Sequence, residues 1–319
     1  MTRLRLPAFA LALASLLTSA LAQPAAQPVR AHTALVHAVA VSADGKTLAT
    51  AGFDNVVKLW EIAPDGTLKE KKVLTGHTGP VYAVAFQPKG DLVATASLDK
   101  TGRLWNPADG KTTAELKGHT DIVDTIAFSP DGKTLATAGA DKSVRLWKVE
   151  DGKELKNLGS HAASVYCVAF SPDGKTLASC GADNLIKVWS VADTKELKQL
   201  KGHDLPVTSV TFTDDPDTLV SVSMDRSIRF WKVEDGKEAK KLGPTADDPY
   251  AVAWSPQAKA LAVCGYSGLV TVWKPDADKP VFTKAIKSPG YCVAFTADGK
   301  AVITGHDNGS VAVTPIDGK

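Results

Sequence analysis

The chain has 319 residues, 44% of them hydrophobic and 23% charged, with a formal net charge of +2. That is the balance of an ordinary soluble globular protein. It argues against a nucleic-acid partner, which calls for a basic stripe or patch.

The first element in chain order is not part of the fold. Arg3 and Arg5 form a positive n-region, Leu6 to Leu17 an apolar run, and Ala20-Leu21-Ala22 an A-x-A site. Residues 1–22 read as a secretory signal peptide cut after Ala22. The apolar run is too short to span a bilayer comfortably, and no later segment is long and apolar enough to do so, so no membrane span is expected. No Cys follows the cut as a lipid-anchor site. Residues 23–319 are therefore expected to be a periplasmic or secreted protein.

Beyond this leader the chain repeats itself. Residues 42–60 read SADGKTLATAGFDNVVKLW, residues 129–147 SPDGKTLATAGADKSVRLW and residues 171–189 SPDGKTLASCGADNLIKVW. Trp60, Trp105, Trp147, Trp189, Trp231 and Trp273 follow one another at 45, 42, 42, 42 and 42 residues; His32, His77, His119, His161 and His203 at 45, 42, 42 and 42. A fixed period in this range marks a repeat architecture. Each unit alternates apolar and small polar residues with period two, in runs such as VYAVAF and TLATAG, and PDG or ADG turns interrupt it. These are short antiparallel strands, and the class is all-β. First strands begin at Val36, Val81, Val123, Val165, Val207, Tyr250 and Tyr291, which makes seven units. The length beyond Ala22 holds seven units of 42 residues and little more, so 23–319 is one domain.

The Gly-His dipeptides at 76–77, 118–119 and 202–203, the SPDGK turns and the Asp-to-Trp strands resemble the WD-repeat β-propellers. The resemblance covers essentially the whole mature chain and implies a seven-bladed propeller of four-stranded antiparallel blades. The last unit ends soon after its third strand. The segment Ala25 to Arg30 stands where its outer strand belongs, so the N-terminal strand is expected to close the ring.

Five units carry a full polar set: His32, Thr50, Asp54, Trp60; His77, Thr95, Asp99, Trp105; His119, Thr137, Asp141, Trp147; His161, Ser179, Asp183, Trp189; and His203, Ser221, Asp225, Trp231. A hydroxyl, a His and an Asp also make a nucleophilic triad, but no enzyme needs five. The hydrogen-bonding inventory closes internally, and the resemblance implies the same bracing role. Blade six has Val263 and Ser267 in place of Thr and Asp and no matching His. Blade seven keeps Thr304 and Asn308 but has Thr314 for Trp. These two are expected to be the least rigid.

The resemblance also implies three positions per blade that face the top surface. The first gives Leu35, Pro80, Ile122, Ser164, Pro206, Asp248 and Pro289. The second gives His37, Tyr82, Asp124, Tyr166, Thr208, Tyr250 and Tyr291. The third gives Phe53, Leu98, Ala140, Ala182, Met224, Tyr266 and Asp307. All five tyrosines of the chain fall in this set. His37, Phe53, Tyr82, Leu98, Tyr250, Tyr266 and Tyr291 gather on blades six, seven, one and two, and Tyr166 lies on blade four. Tyrosine is enriched at binding hot spots, which points to a protein or peptide partner; rings that merely pack between blades are the other reading. None of these positions is Lys or Arg, which argues against phosphate, nucleic-acid or phosphopeptide recognition.

Four cysteines, Cys167, Cys180, Cys264 and Cys292, allow three disulfide pairings in an exported chain. If the SPDGK turn pairs Phe170 with Thr176, Cys167 and Cys180 are diagonal and face opposite ways. Four buried free thiols are expected on that basis.

The expected function is a non-catalytic interaction scaffold without a cofactor or metal. The alternative is a propeller enzyme, lactonase- or quinoprotein-like, with a site at the channel mouth. Its ligands would be His37 with His306 and Asp307. A third reading is a structural component of an assembly. The absence of C-x-x-C-H excludes covalent c-type haem on this chain.

Overall fold

The computed structural model describes residues 27–316; the segment read as a signal peptide lies outside them. Among the described residues every regular element is a strand, and the strands form seven antiparallel sheets of four. Blade one shows the plan, running outward from Val36–Val41 through Thr47–Gly52 and Val57–Ile62 to Leu68–Leu74. The innermost strands touch in cyclic order, from Val36–Val41 round to Gly290–Phe295, which returns against Val36–Val41. Among the described residues no helix is long and apolar enough to cross a membrane.

No blade has a core of its own. Among the described residues seven apolar clusters form, and each joins two neighbouring blades. Between blades one and two, for example, Ala49, Ala51, Leu59 and Leu74 meet Val81, Val84, Val93 and Trp105. Trp105, Trp147, Trp189 and Trp231 are fully buried this way. The period-two alternation supplies the two faces, one for each neighbour, and stacking seven sheets in a ring sets each face against the next blade.

The ring closes in blade seven, where the two-residue strand Val29–Arg30 pairs with Ser310–Pro315 as the fourth strand. The amides of Ala31 and His32 add bonds to the Gly309 carbonyl, at 2.8 and 3.0 Å. Ala31, Val36, Leu48 and Trp60 then pack on Cys292, Ile303, Val311 and Val313.

The SPDGK turns set the register of the inner hairpins of blades three and four. In blade three, Asp131 Oδ1 accepts from the Ser129 hydroxyl and the Lys133 amide, while Ser129 Oγ accepts from the Thr134 amide. Gly132 takes φ +72°, a conformation that costs glycine little. Thr134 is thus part of the turn, and Phe128 pairs with Leu135. The same turn in blade four pairs Phe170 with Leu177, not with Thr176, and sets Cys167 directly opposite Cys180. The expectation of a diagonal, divergent pair is therefore corrected. All four thiols are free; Cys180, Cys264 and Cys292 are buried and Cys167 is partly exposed.

Candidate functional site: braces and an aromatic rim

Each of the five polar sets is assembled. In blade three, His119 Nδ1 lies 2.8 Å from Asp141 Oδ2, and His119 Nε2 lies 2.7 Å from Thr137 Oγ1. The Trp147 indole N–H donates to the same Thr137 oxygen at 2.7 Å. An indole can only donate, so the hydroxyl keeps its proton for Nε2, and the imidazole donates from Nδ1 to the carboxylate. The sets at His32, His77, His161 and His203 repeat these bonds. Burial, more than the carboxylate opposing it, holds His32, His119, His161 and His203 below the usual imidazole range. Burial works to raise Asp54, Asp99, Asp141, Asp183 and Asp225, but their hydrogen bonds outweigh it and keep all five ionised. With every member engaged internally, none of these hydroxyls is free to act as a nucleophile.

Blades six and seven are wired differently. In blade six the Trp273 indole donates to Thr271 Oγ1 at 2.9 Å, two residues back on its own strand. Thr245 stands at the His position and bonds the Asp247 and Arg226 carbonyls. Asp247 takes the Ser267 hydroxyl at 2.7 Å, so acid and hydroxyl have exchanged loops. In blade seven His306, fully buried, bonds Thr304 through Nε2 at 2.9 Å and the Ser288 carbonyl through Nδ1. The Ser288 hydroxyl donates to Asp307. His306 is thus a brace. The structure does not bring it together with His37 and Asp307, and among the described residues no three His, Cys, Asp or Glu side chains converge in a metal-ligating group.

The seven second-position residues share one backbone feature. Each innermost strand shifts register at that residue: between Val36 and Ala38, Val81 and Ala83, Val123 and Thr125, Val165 and Cys167, Val207 and Ser209, Pro249 and Ala251, and Gly290 and Cys292. A bulge of this kind leaves one residue unpaired and re-aims its side chain. The bulged residues are His37, Tyr82, Asp124, Tyr166, Thr208, Tyr250 and Tyr291. Some are linked across blades: His37 Nδ1 donates to the Tyr82 carbonyl at 2.7 Å, and the Thr208 hydroxyl to the Pro249 carbonyl at 2.8 Å.

Six of the aromatic residues form one continuous run of ring contacts, stacked for Tyr250–Tyr291, Tyr291–His37 and His37–Phe53 and tilted for the others. Ring centroids are 6.5 Å apart for Tyr266–Tyr250, 5.0 Å for Tyr250–Tyr291, 6.1 Å for Tyr291–His37 and 4.8 Å for His37–Tyr82. Phe53 leans on both His37 and Tyr82, at 5.5 and 5.0 Å. Burial lowers His37, whose bond to the Tyr82 carbonyl opposes it. Tyr266 and Tyr166 are exposed at 60% and 38%, Leu98 at 40%, and the other rings are half-buried. Leu98 lies beside Gly79 and makes no part of the stack; Tyr166 stands apart from it, with blade three between its strand and that of Tyr82.

Asp124 stands on this face by position, and the sequence alone gives it no role. Burial first, then the charges of Asp121 and Asp141, push its carboxyl up to about 7. Burial first, then the Asp124 charge, raises both Tyr82 and Tyr166; the Asp124 strand, Val123–Phe128, packs between the innermost strands that carry them. The signal in the sequence is a single acid at a position otherwise filled by four tyrosines, a histidine and a threonine.

Residues 81–251 match the family model for the second β-propeller of echinoderm microtubule-associated protein, and residues 25–61 match the WD domain, G-beta repeat. No curated protein matches the chain.

Proposed function

We propose that this chain, which belongs to the WD-repeat β-propeller family, is an exported, non-catalytic scaffold that holds a protein or peptide on its aromatic rim. The observation that carries the reading is the unbroken stack from Tyr266 through Tyr250, Tyr291 and His37 to Tyr82 and Phe53. Rings already packed on one another lose little conformational entropy when a partner lands on them. WD-repeat propellers typically bind proteins, and the repeat runs here without an inserted catalytic segment. Export rests on Arg3, Arg5, the apolar run Leu6 to Leu17 and the Ala20-Leu21-Ala22 site.

The test is capture from a cell-envelope extract by the wild type and by a Tyr82→Ala, Tyr250→Ala, Tyr291→Ala variant, with melting curves for both. The variant breaks five ring pairs, each contributing about 0.5–1.5 kcal/mol beyond its burial, so it is expected to melt several degrees lower, to remain folded, and to lose the partner. Equal capture by both proteins refutes the rim as the binding face. Collapse of the variant's melting transition shows that the rings serve packing.

A further inference from the structure

Asp124 is the one carboxylate of the rim ring, and folding does not account for it. Among the described residues its carboxyl takes part in no hydrogen bond and no ion pair. The five brace aspartates are each held by an imidazole and at least one amide, as Asp141 is by His119 and the Thr120 and Ser143 amides. The charges acting on Asp124 are Asp121 and Asp141, both of its own sign. The innermost strands on either side of its own carry Tyr82 and Tyr166 at the same bulged position, and the aromatic contacts continue beyond Tyr82. Cations are absent from all three sets of top-face positions.

This is an electrostatic arrangement lacking its counterpart. A partly desolvated carboxylate is costly unless paired. Aromatic faces attract cations within about 6 Å, and attract them more strongly as water is excluded. An anion, an acidic peptide or a neutral apolar segment would leave Asp124 unpaired or repelled; an ammonium or guanidinium would satisfy it.

Resting on the reading of the rim as the partner site, we propose that the partner inserts a lysine or arginine side chain at blades two to four, with Asp124 as its counter-ion and the Tyr82 and Tyr166 rings as its walls. The remaining stack, from Tyr82 to Tyr266, then carries apolar residues of the same segment.

A random-peptide display library selected on the full chain tests this. Binders are resynthesised and measured against the wild type, Asp124→Asn, and the triple tyrosine variant. The expected result is a recurrent Lys or Arg in the selected peptides. Its replacement by Gln, or Asp124→Asn in the protein, should each weaken binding about tenfold or more, and the two together little further. Binders that need the tyrosines but carry no basic residue, or that ignore Asp124→Asn, overturn this inference and leave the rim reading standing. Binders unaffected by the triple variant overturn the rim reading and this inference with it. The melting temperature of Asp124→Asn is the control: a large fall would mean the carboxyl braces the fold, and would also overturn the inference.

Discussion

Replacing Thr50 by Val in blade one isolates what a brace contributes. The side chain is completely buried, and valine matches its shape, so no cavity opens. The hydroxyl serves His32 Nε2 at 2.7 Å and the Trp60 indole at 3.0 Å. Its loss leaves an acceptor and a donor unpaired where water cannot reach them, at about 1–3 kcal/mol each. Thr50→Val should therefore cost about 2–6 kcal/mol, or about 3–10 °C in melting temperature for a domain of this size. Blade six shows how part of the loss can be recovered: there Val263 stands at the hydroxyl position and Thr271 serves the indole. The equivalent residue in blade one is Lys58, whose ion pair with Glu70 is substantially exposed and contributes about 0–1 kcal/mol. Adding Lys58→Thr to Thr50→Val should return about 1–2 kcal/mol by satisfying Trp60 while His32 stays unpaired. Denaturant titration of the three proteins with a common slope measures this. A Thr50→Val cost below about 1 kcal/mol, or a double variant no better than the single, would refute the argument that hydrogen-bond satisfaction, and not shape, makes the brace.

Three further outcomes follow from particular residues. The Asp124 carboxyl, raised by burial and by Asp121 and Asp141, stays protonated in the fold where the unfolded chain has already lost that proton. Its contribution is complete below the ordinary carboxylate range and is lost as pH rises through about 7. Asp124→Asn should therefore gain stability over the wild type between about pH 5 and about pH 8 in paired denaturant titrations, and a constant difference would contradict this. Lys142, exposed and held at φ +69°, occupies a position where blades six and seven use Gly268 and Gly309. Lys142→Gly, which removes Cβ strain at some entropic cost, should stabilise by up to about 1 kcal/mol, and a loss would show that the strain is not there. The hydrogen bond from Cys180 draws the Cys167 thiol down to about 7 against the effect of burial, whereas burial pushes Cys180 well up and Cys292 to about 12. A maleimide at neutral pH should label Cys167 ahead of the other three, as read by peptide mass mapping, and labelling led by Cys292 would reverse the assignment.

What could be read before the structure, and what could not, divides by range of interaction. The seven units, the five complete braces and the closing N-terminal strand are set by spacing, because each depends on residue types at fixed offsets. The register at Cys167 and Cys180 was misread because the Ser171 hydroxyl draws the Thr176 amide into the turn, a side-chain choice invisible in the alternation. The braces of blades six and seven were missed for a related reason. Thr245, Asp247, Thr271 and His306 do the work from other positions, so a search at the usual offsets finds only absences. The rim positions came from the family pattern. That a bulge in every innermost strand aims them, and that their rings touch across four blades, needed coordinates.

The seam in blade seven has a consequence for how the molecule comes into being. Six blades are made of consecutive residues, so each can gather locally while the rest of the chain is still unstructured. The seventh cannot: Val29 must wait for Val311, and the entropy of bringing together such distant ends is met by a ladder of only two residues and the packing beneath it. Until that event, both flanks of the arc present oily surfaces to any other molecule nearby, including another arc of the same kind. Clipping the first strand or the last should therefore injure the same seam, the last the more severely because it also removes Val311 and Val313 from the closing core.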